Sequence, residues 1–166
     1  MHFAAHKAVG ESCGDPLKYY SNNVNASTTL LEVMKECGCN RIVFSSSSTA
    51  YGDPEYLPVD ENHPVGNCTS PYGMTKYMTE VVIKDVCKAY SDWGAMLLRY
   101  FNPAGAHLAA DIGEESQGTP NNLMPYVSQV AVGARPKLFI FGGDYETPDG
   151  TAIRWRHIFR ACPREN

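Results

Sequence analysis

Phe44-Ser45-Ser46-Ser47-Ser48-Thr49-Ala50-Tyr51-Gly52 closes an apolar run, Arg41-Ile42-Val43-Phe44. After a polar loop, Tyr72-Gly73-Met74-Thr75-Lys76 opens a helical pattern. The two pieces read as strand, loop and helix, with a hydroxyl cluster at the strand end. Tyr72 and Lys76 are four apart, so their side chains share one helix face. A phenol is a poor base at its usual pKa near 10, and a nearby ammonium favours the phenolate. Ser47 adds a hydroxyl able to bond the same substrate oxygen. Together these make a proton-transfer site for a sugar or alcohol hydroxyl. Alone, a tyrosine and a lysine at this spacing are common on any helix, and a serine-rich loop is a weaker signal still.

Outward from this stretch, the pattern alternates. Residues 16 to 37 read as a helix that Pro16 starts and Gly38 stops, with Leu17, Tyr20, Val24, Leu30, Leu31, Met34 and Cys37 on its apolar face. Asn23 is out of place on that face. Residues 41 to 45 read as a short buried strand. Residues 52 to 71 hold Pro54, Pro58, Pro64 and Pro71 and read as a loop. Residues 72 to 90 form a second helix, with Met78, Val81, Val82, Val86 and Ala89 giving its period. Residues 94 to 101 form a second buried strand. Strands alternating with helices predict an α/β fold: part of a Rossmann-like, doubly wound parallel sheet. Ligands in such sheets bind beyond the carboxyl ends of the strands, where Ser45–Ser48 and Tyr100–Pro103 fall. Further on, 102 to 122 reads as loop, 123 to 132 as a short helix and 138 to 141 as a short strand, the start of a substrate-binding lobe. The boundaries drawn are 1–122, 123–154 and a divergent tail, 155–166.

Composition limits the function classes. The chain has 166 residues, 43% hydrophobic and 19% charged, with net charge -4. That is ordinary globular material, and its acidity argues against nucleic acid or an anionic membrane as partner. No apolar run is long enough for a signal peptide's core or a membrane span. The six cysteines are irregularly spaced, and Cys37-Gly38-Cys39 lacks the second pair of a zinc site. Reduced thiols in a cytoplasmic protein are expected. Asn25-Ala26-Ser27 and Asn67-Cys68-Thr69 match the glycosylation pattern without a secretory context. His2, His6, His63, His107 and His157 show no ligand spacing, so no metal is expected.

A series of motifs in order carries a resemblance: His2-Phe3-Ala4, Lys7-Ala8-Val9-Gly10-Glu11-Ser12, the serine stretch, Tyr72-Gly73-Met74-Thr75-Lys76, Leu98-Arg99-Tyr100-Phe101-Asn102-Pro103 and Pro120-Asn121-Asn122-Leu123-Met124-Pro125-Tyr126. Over residues 1 to 154 the chain resembles the middle of the UDP-glucose (UDP-galactose) 4-epimerases of the extended short-chain dehydrogenase/reductase family. The resemblance implies an NAD-dependent isomerase of galactose metabolism that interconverts UDP-galactose and UDP-glucose through a transient 4-keto sugar. It implies Tyr72 as base, Lys76 as the residue that lowers its pKa and binds the nicotinamide ribose, and Ser47 as a partner on the sugar 4-oxygen. Phe3, Ala4, Lys7, Asn23, Ser45, Ser46, Tyr72, Lys76 and Tyr100 are implied at the cofactor. Ser47, Tyr72, Asn102, Asn122, Leu123, Phe141 and Arg154 are implied at the substrate. Ala5 stands where the family has glycine. The family is usually homodimeric, through helices resembling 16–37 and 72–90.

Two departures bear on activity. No GxxGxxG turn, the family's pyrophosphate cradle, occurs in the 166 residues. After Arg154 the sequence leaves the family pattern, as a truncated product, an alternative splice end or a gene-model error would. The expectation is therefore an internal fragment of an epimerase, inactive by itself. The alternatives are a nucleotide-sugar dehydratase or decarboxylase of the same family, or a non-enzymatic fragment. A dehydratase would want an acidic pair where Ser48-Thr49 follow Ser47.

Overall fold

The computed structural model describes residues 1–105, 118–140 and 142–151, and the backbone of 156–158. The chain forms two compact units, Met1–Tyr100 and Phe101–Asn166.

In the first unit, α1 (Val9–Gly14) and α2 (Pro16–Tyr19) lead through a π-helical turn (Tyr20–Asn25) into α3 (Ala26–Glu36). Then come β1 (Arg41–Ser47), a 3-10 turn (Ser48–Ala50), α4 (Pro71–Ala89) and β2 (Gly94–Tyr100). β1 and β2 pair in parallel, Arg41 opposite Gly94 through Ser47 opposite Tyr100. His2 extends the sheet on the other edge of β1: its N–H donates to the Val43 carbonyl at 2.8 Å, and its carbonyl accepts from Ser45 N–H at 3.0 Å. Parallel strands linked by helices make this an open, partial Rossmann-like α/β sheet, as the alternation of strands and helices predicts.

The core lies between one sheet face and the two long helices: Leu31, Met34, Ile42, Phe44 and Ile83, with Leu97 and Trp93 packed against them. Every second residue of β1 serves it, as strand geometry requires. The expectation that β2 is buried throughout fails, since Met96 is 60% exposed; the unit's core covers the face that carries Leu97.

Three other expectations need correction. The segment before residue 16, where no helix was expected, contains α1. The single helix at 16–37 contains the π-helical turn, and its buried aromatic is Tyr19, while Leu17 is exposed. Most telling is α4. Met78 and Val81, counted toward its apolar period, are exposed, and its buried face is Gly73, Thr75, Lys76, Thr79, Glu80 and Ile83. The polar groups of that face are all partnered: Lys76 and Glu80 bond to the sheet, and the Thr75 and Thr79 hydroxyls donate to carbonyls of α4 itself.

In the second unit, β3 (Asn102–Ala104) pairs in parallel with β4 (Arg156–Ile158), and α5 spans Leu123–Ala131. A strand at 102–104 and another inside the divergent tail were both unforeseen. Residues 138–140, expected as strand, have no regular structure, and Phe141 lies outside the described residues. Among the described residues, no helix is long and apolar enough to cross a membrane. None of their His, Cys, Asp and Glu side chains form a group of three placed to hold a metal.

Candidate active site

The N-terminus of α4 meets the carboxyl end of β1. Pro71 sits at its first position, and the Ser70 hydroxyl accepts from Gly73 N–H at 3.2 Å, a standard cap. Tyr72 N–H donates to Ser12 Oγ at 3.1 Å, tying α1 to the same end. The glycine in this segment is sterically required: a Cβ on Gly73 would lie 2.8 Å from the Thr49 carbonyl oxygen. Only a bare Cα lets α4 approach the turn after Ser47 so closely.

Three predicted side chains converge there. Ser47 is buried, and its Oγ accepts from both Thr49 N–H (3.2 Å) and Thr49 Oγ1 (2.9 Å). With both acceptor sites used, its one proton is left to donate. It faces the Tyr72 phenol and pulls that group's pKa down in part. Lys76, 4% exposed, donates from Nζ to the Ser45 carbonyl at 2.7 Å. Its ammonium stands 5.0 Å from the Phe44 ring centre and 5.9 Å from that of Tyr72.

The expected lowering of the Tyr72 pKa by Lys76 is not what this arrangement gives. Burial pushes the phenol above its ordinary value, and Ser47 offsets this only partly. Burial likewise brings Lys76 down to about 8. Each group is driven toward its neutral form by loss of water.

The other predicted cofactor residues fall into two sets. Phe3, Ala4 and Lys7 are exposed, on the segment that continues from the His2 edge of the sheet. Tyr100 is half-buried, opposite Ser47 in register. Asn23, Ser45 and Ser46 are engaged within the protein. The Asn23 amide donates to the His6 carbonyl (3.0 Å) and Thr75 Oγ1 (3.1 Å). Its oxygen accepts from His6 N–H (2.8 Å) and Asn22 (2.9 Å). All four bonding positions of the amide are thus filled, so Asn23 clamps the N-terminal segment to α4 rather than reaching outward. Ser45 contributes its carbonyl to Lys76. Ser46 is buried, its hydroxyl on Glu80 at 2.5 Å.

The predicted substrate residues beyond Tyr100 belong to the second unit. Asn102 opens β3 and is exposed. Asn122 occupies the N-cap of α5 with no side-chain cap bond, and Leu123 begins that helix, 42% exposed. Phe141 and Arg154 lie outside the described residues.

Sequence reasoning missed two groups. Glu80, fully buried, receives Arg99 through Nε (2.9 Å) and a terminal nitrogen (2.6 Å). His63, 3% exposed, accepts from Glu55 N–H (2.9 Å) and bonds the Pro64 carbonyl (2.8 Å), pinning the proline-rich loop. Glu80 left no local signal, because a carboxylate one turn after a lysine is also the ordinary pattern of a solvated helix face.

Comparison with known proteins adds independent findings. The NAD dependent epimerase/dehydratase family profile matches residues 1–157. The UDP-glucose 4-epimerase of Drosophila melanogaster is 58% identical over 153 residues, which cover 92% of this chain and 44% of the fly protein. The human UDP-glucose 4-epimerase is 58% identical over 154 residues, 93% of this chain and 44% of that protein. The UDP-glucose 4-epimerase from Bifidobacterium longum, solved in complex with NAD+ and UDP, superposes with a TM-score of 0.91 at 48% identity, over 95% of this chain and 47% of that one. The chain therefore spans less than half the length of the relatives it matches.

Proposed function

The chain belongs to the NAD dependent epimerase/dehydratase family, and on that premise we propose that it carries the acid–base part of a UDP-galactose/UDP-glucose 4-epimerase site. The observation that carries this reading is the meeting of Ser47, Tyr72 and Lys76 at one strand end. Tyr72 takes the proton of the sugar 4-hydroxyl and returns it. Ser47, with its one proton free to donate, shares the hydrogen bond to that oxygen. Lys76 favours the phenolate as it forms, and each then supports the other's charge.

NAD fits the residues present. The Lys76 ammonium has one hydrogen-bond acceptor among the described residues, the Ser45 carbonyl, which leaves two N–H donors for a ligand's hydroxyls. Lys76, Tyr72, Phe3, Ala4, Lys7 and Tyr100 would hold the cofactor. When bound, NAD supplies the acceptance and return of hydride at the sugar carbon. Asn102, Asn122, Leu123, Phe141 and Arg154 complete the proposed UDP-sugar contacts.

The test titrates NAD and UDP into the isotope-labelled chain. Shifts at the Lys76 side chain and the Tyr72 ring are the expected result, and unchanged resonances at both would refute the reading. We extend the proposal to a homodimer paired through α3 and α4, whose Val33, Met78 and Val81 stay 48%, 41% and 38% exposed. Analytical ultracentrifugation should give twice the 18.3 kDa chain mass. A monomer at high concentration would rule the pairing out.

A further inference from the structure

Glu80 is the most deeply buried charge on α4, and the proposed proton transfer does not use it. It follows Lys76 by four residues and Tyr72 by eight, so the three side chains run down one helix face. Its carboxylate accepts from Ser46 Oγ on β1 (2.5 Å) and from Nε and a terminal nitrogen of Arg99 on β2 (2.9 and 2.6 Å). Ser46 and Arg99 are register partners on adjacent strands. One carboxylate thus ties the helix to both strands at a single level of the sheet. One turn back along α4, Lys76 Nζ bonds the carbonyl of Ser45, the residue preceding Ser46. Two consecutive strand residues therefore hold two helix residues one turn apart. The Arg99 guanidinium also lies 4.8 Å from the ring centre of Tyr51, at the end of the turn that begins after Ser47.

A buried ion pair is a poor way to gain stability, since apolar side chains of similar size do as well or better. What it provides is direction, because a two-pronged Arg–carboxylate contact fixes distance and orientation together. The pairing also holds its own charge. Burial pushes the Glu80 pKa up, but the bonds from Arg99 and Ser46 outweigh burial and keep it below the usual carboxylate value.

We propose that the Ser46–Glu80–Arg99 network is a positioning device that sets α4 against the sheet so that Lys76 and Tyr72 meet the end of β1. The significance of that position rests on the acid–base reading above. Glu80 itself touches neither of those two side chains at hydrogen-bond range among the described residues. It acts through the placement of the helix.

The test uses the whole chain labelled with 13C-lysine. In the parent, the Lys76 side chain titrates well below ordinary lysines, because the site excludes water. Glu80→Leu combined with Arg99→Met removes the buried charge and its two-pronged partner, and the remaining charged neighbour of the carboxylate, Lys84 at 3.6 Å, is 53% exposed and stays in water, so the fold is retained. Glu80→Asp is the second variant: it keeps the charge and shortens the arm by one methylene. In both, the Lys76 titration midpoint is expected to rise by at least about one unit, toward the ordinary lysine value, as water reaches the loosened helix. Folded variants whose Lys76 midpoint stays at the parent value would overturn the proposal and leave the network a purely structural tie. Addition of NAD to the parent keeps the two ideas apart: a parent that ignores NAD while its variants shift Lys76 refutes the cofactor reading and upholds the positioning role.

Discussion

Tyr72→Phe is expected to lower epimerase turnover by about 10²- to 10⁴-fold, the usual weight of a positioned acid–base group. The measurement needs a complete cofactor cradle. Residues 1–154 are therefore grafted over the matching segment of the fly relative, a swap that 58% identity makes tolerable. The substitution deletes one oxygen and leaves the ring, so α4 keeps its Ser70 cap and its Ser12 tie. Substrate binding should change little, because the loss falls on the transition state. The pH dependence carries further information. Burial holds the phenol in its neutral form while Lys76 loses its charge near 8. If turnover needs the phenolate and the ammonium together, the parent rate should rise from neutral pH and level off above about 8, where the gain in phenolate is offset by loss of the ammonium. A Tyr72→Phe graft retaining a tenth or more of the parent turnover would remove Tyr72 from the proposed chemistry.

Lys76→Met should make the protein more stable and less active. The amine is 4% exposed, and burial lowers its pKa from the ordinary 10.5 to about 8. At neutral pH the folded state therefore carries a buried ammonium at a cost of about 3 kcal/mol. Methionine removes that cost but forfeits the bond to the Ser45 carbonyl, about 1 kcal/mol. The net gain is about 2 kcal/mol. Its sign follows from proton binding: between pH 8 and 10.5 the unfolded chain holds more protons than the folded one, so parent stability rises with pH across that window. The advantage of Lys76→Met should be full below pH 8 and vanish above 10.5. Urea unfolding at both ends of that range decides the matter. A variant less stable than the parent at neutral pH would show that the ammonium is not under strain. A gain in stability at the expense of a working group is the usual trade at active sites.

Much of this was readable from the chain. Two apolar runs and two long helical patterns predict the parallel sheet, and the Tyr72–Lys76 spacing predicts their shared face. The polar face of α4 was not readable. Periodicity counts apolar residues, and here Thr75, Thr79 and Glu80 are buried while Met78 and Val81 are exposed. A buried carboxylate announces itself only with its partner, and Arg99 lies on another strand, brought close by the pairing of β1 with β2. The π-helical turn also left no trace, because one extra residue per turn barely disturbs a loose apolar stripe. β3 and β4 escaped because three-residue strands more than fifty positions apart have no local signature.

The lysine anchor has an evolutionary corollary. Lys76 is held by a main-chain oxygen at position 45, whereas Ser46 and Ser47 contribute through their hydroxyls. Every amino acid presents the same carbonyl, so drift in the codon for residue 45 leaves the anchor intact. The next two codons have no such latitude. Within one run of four identical letters, the first serine is replaceable for this purpose, and the second and third are written into the chemistry.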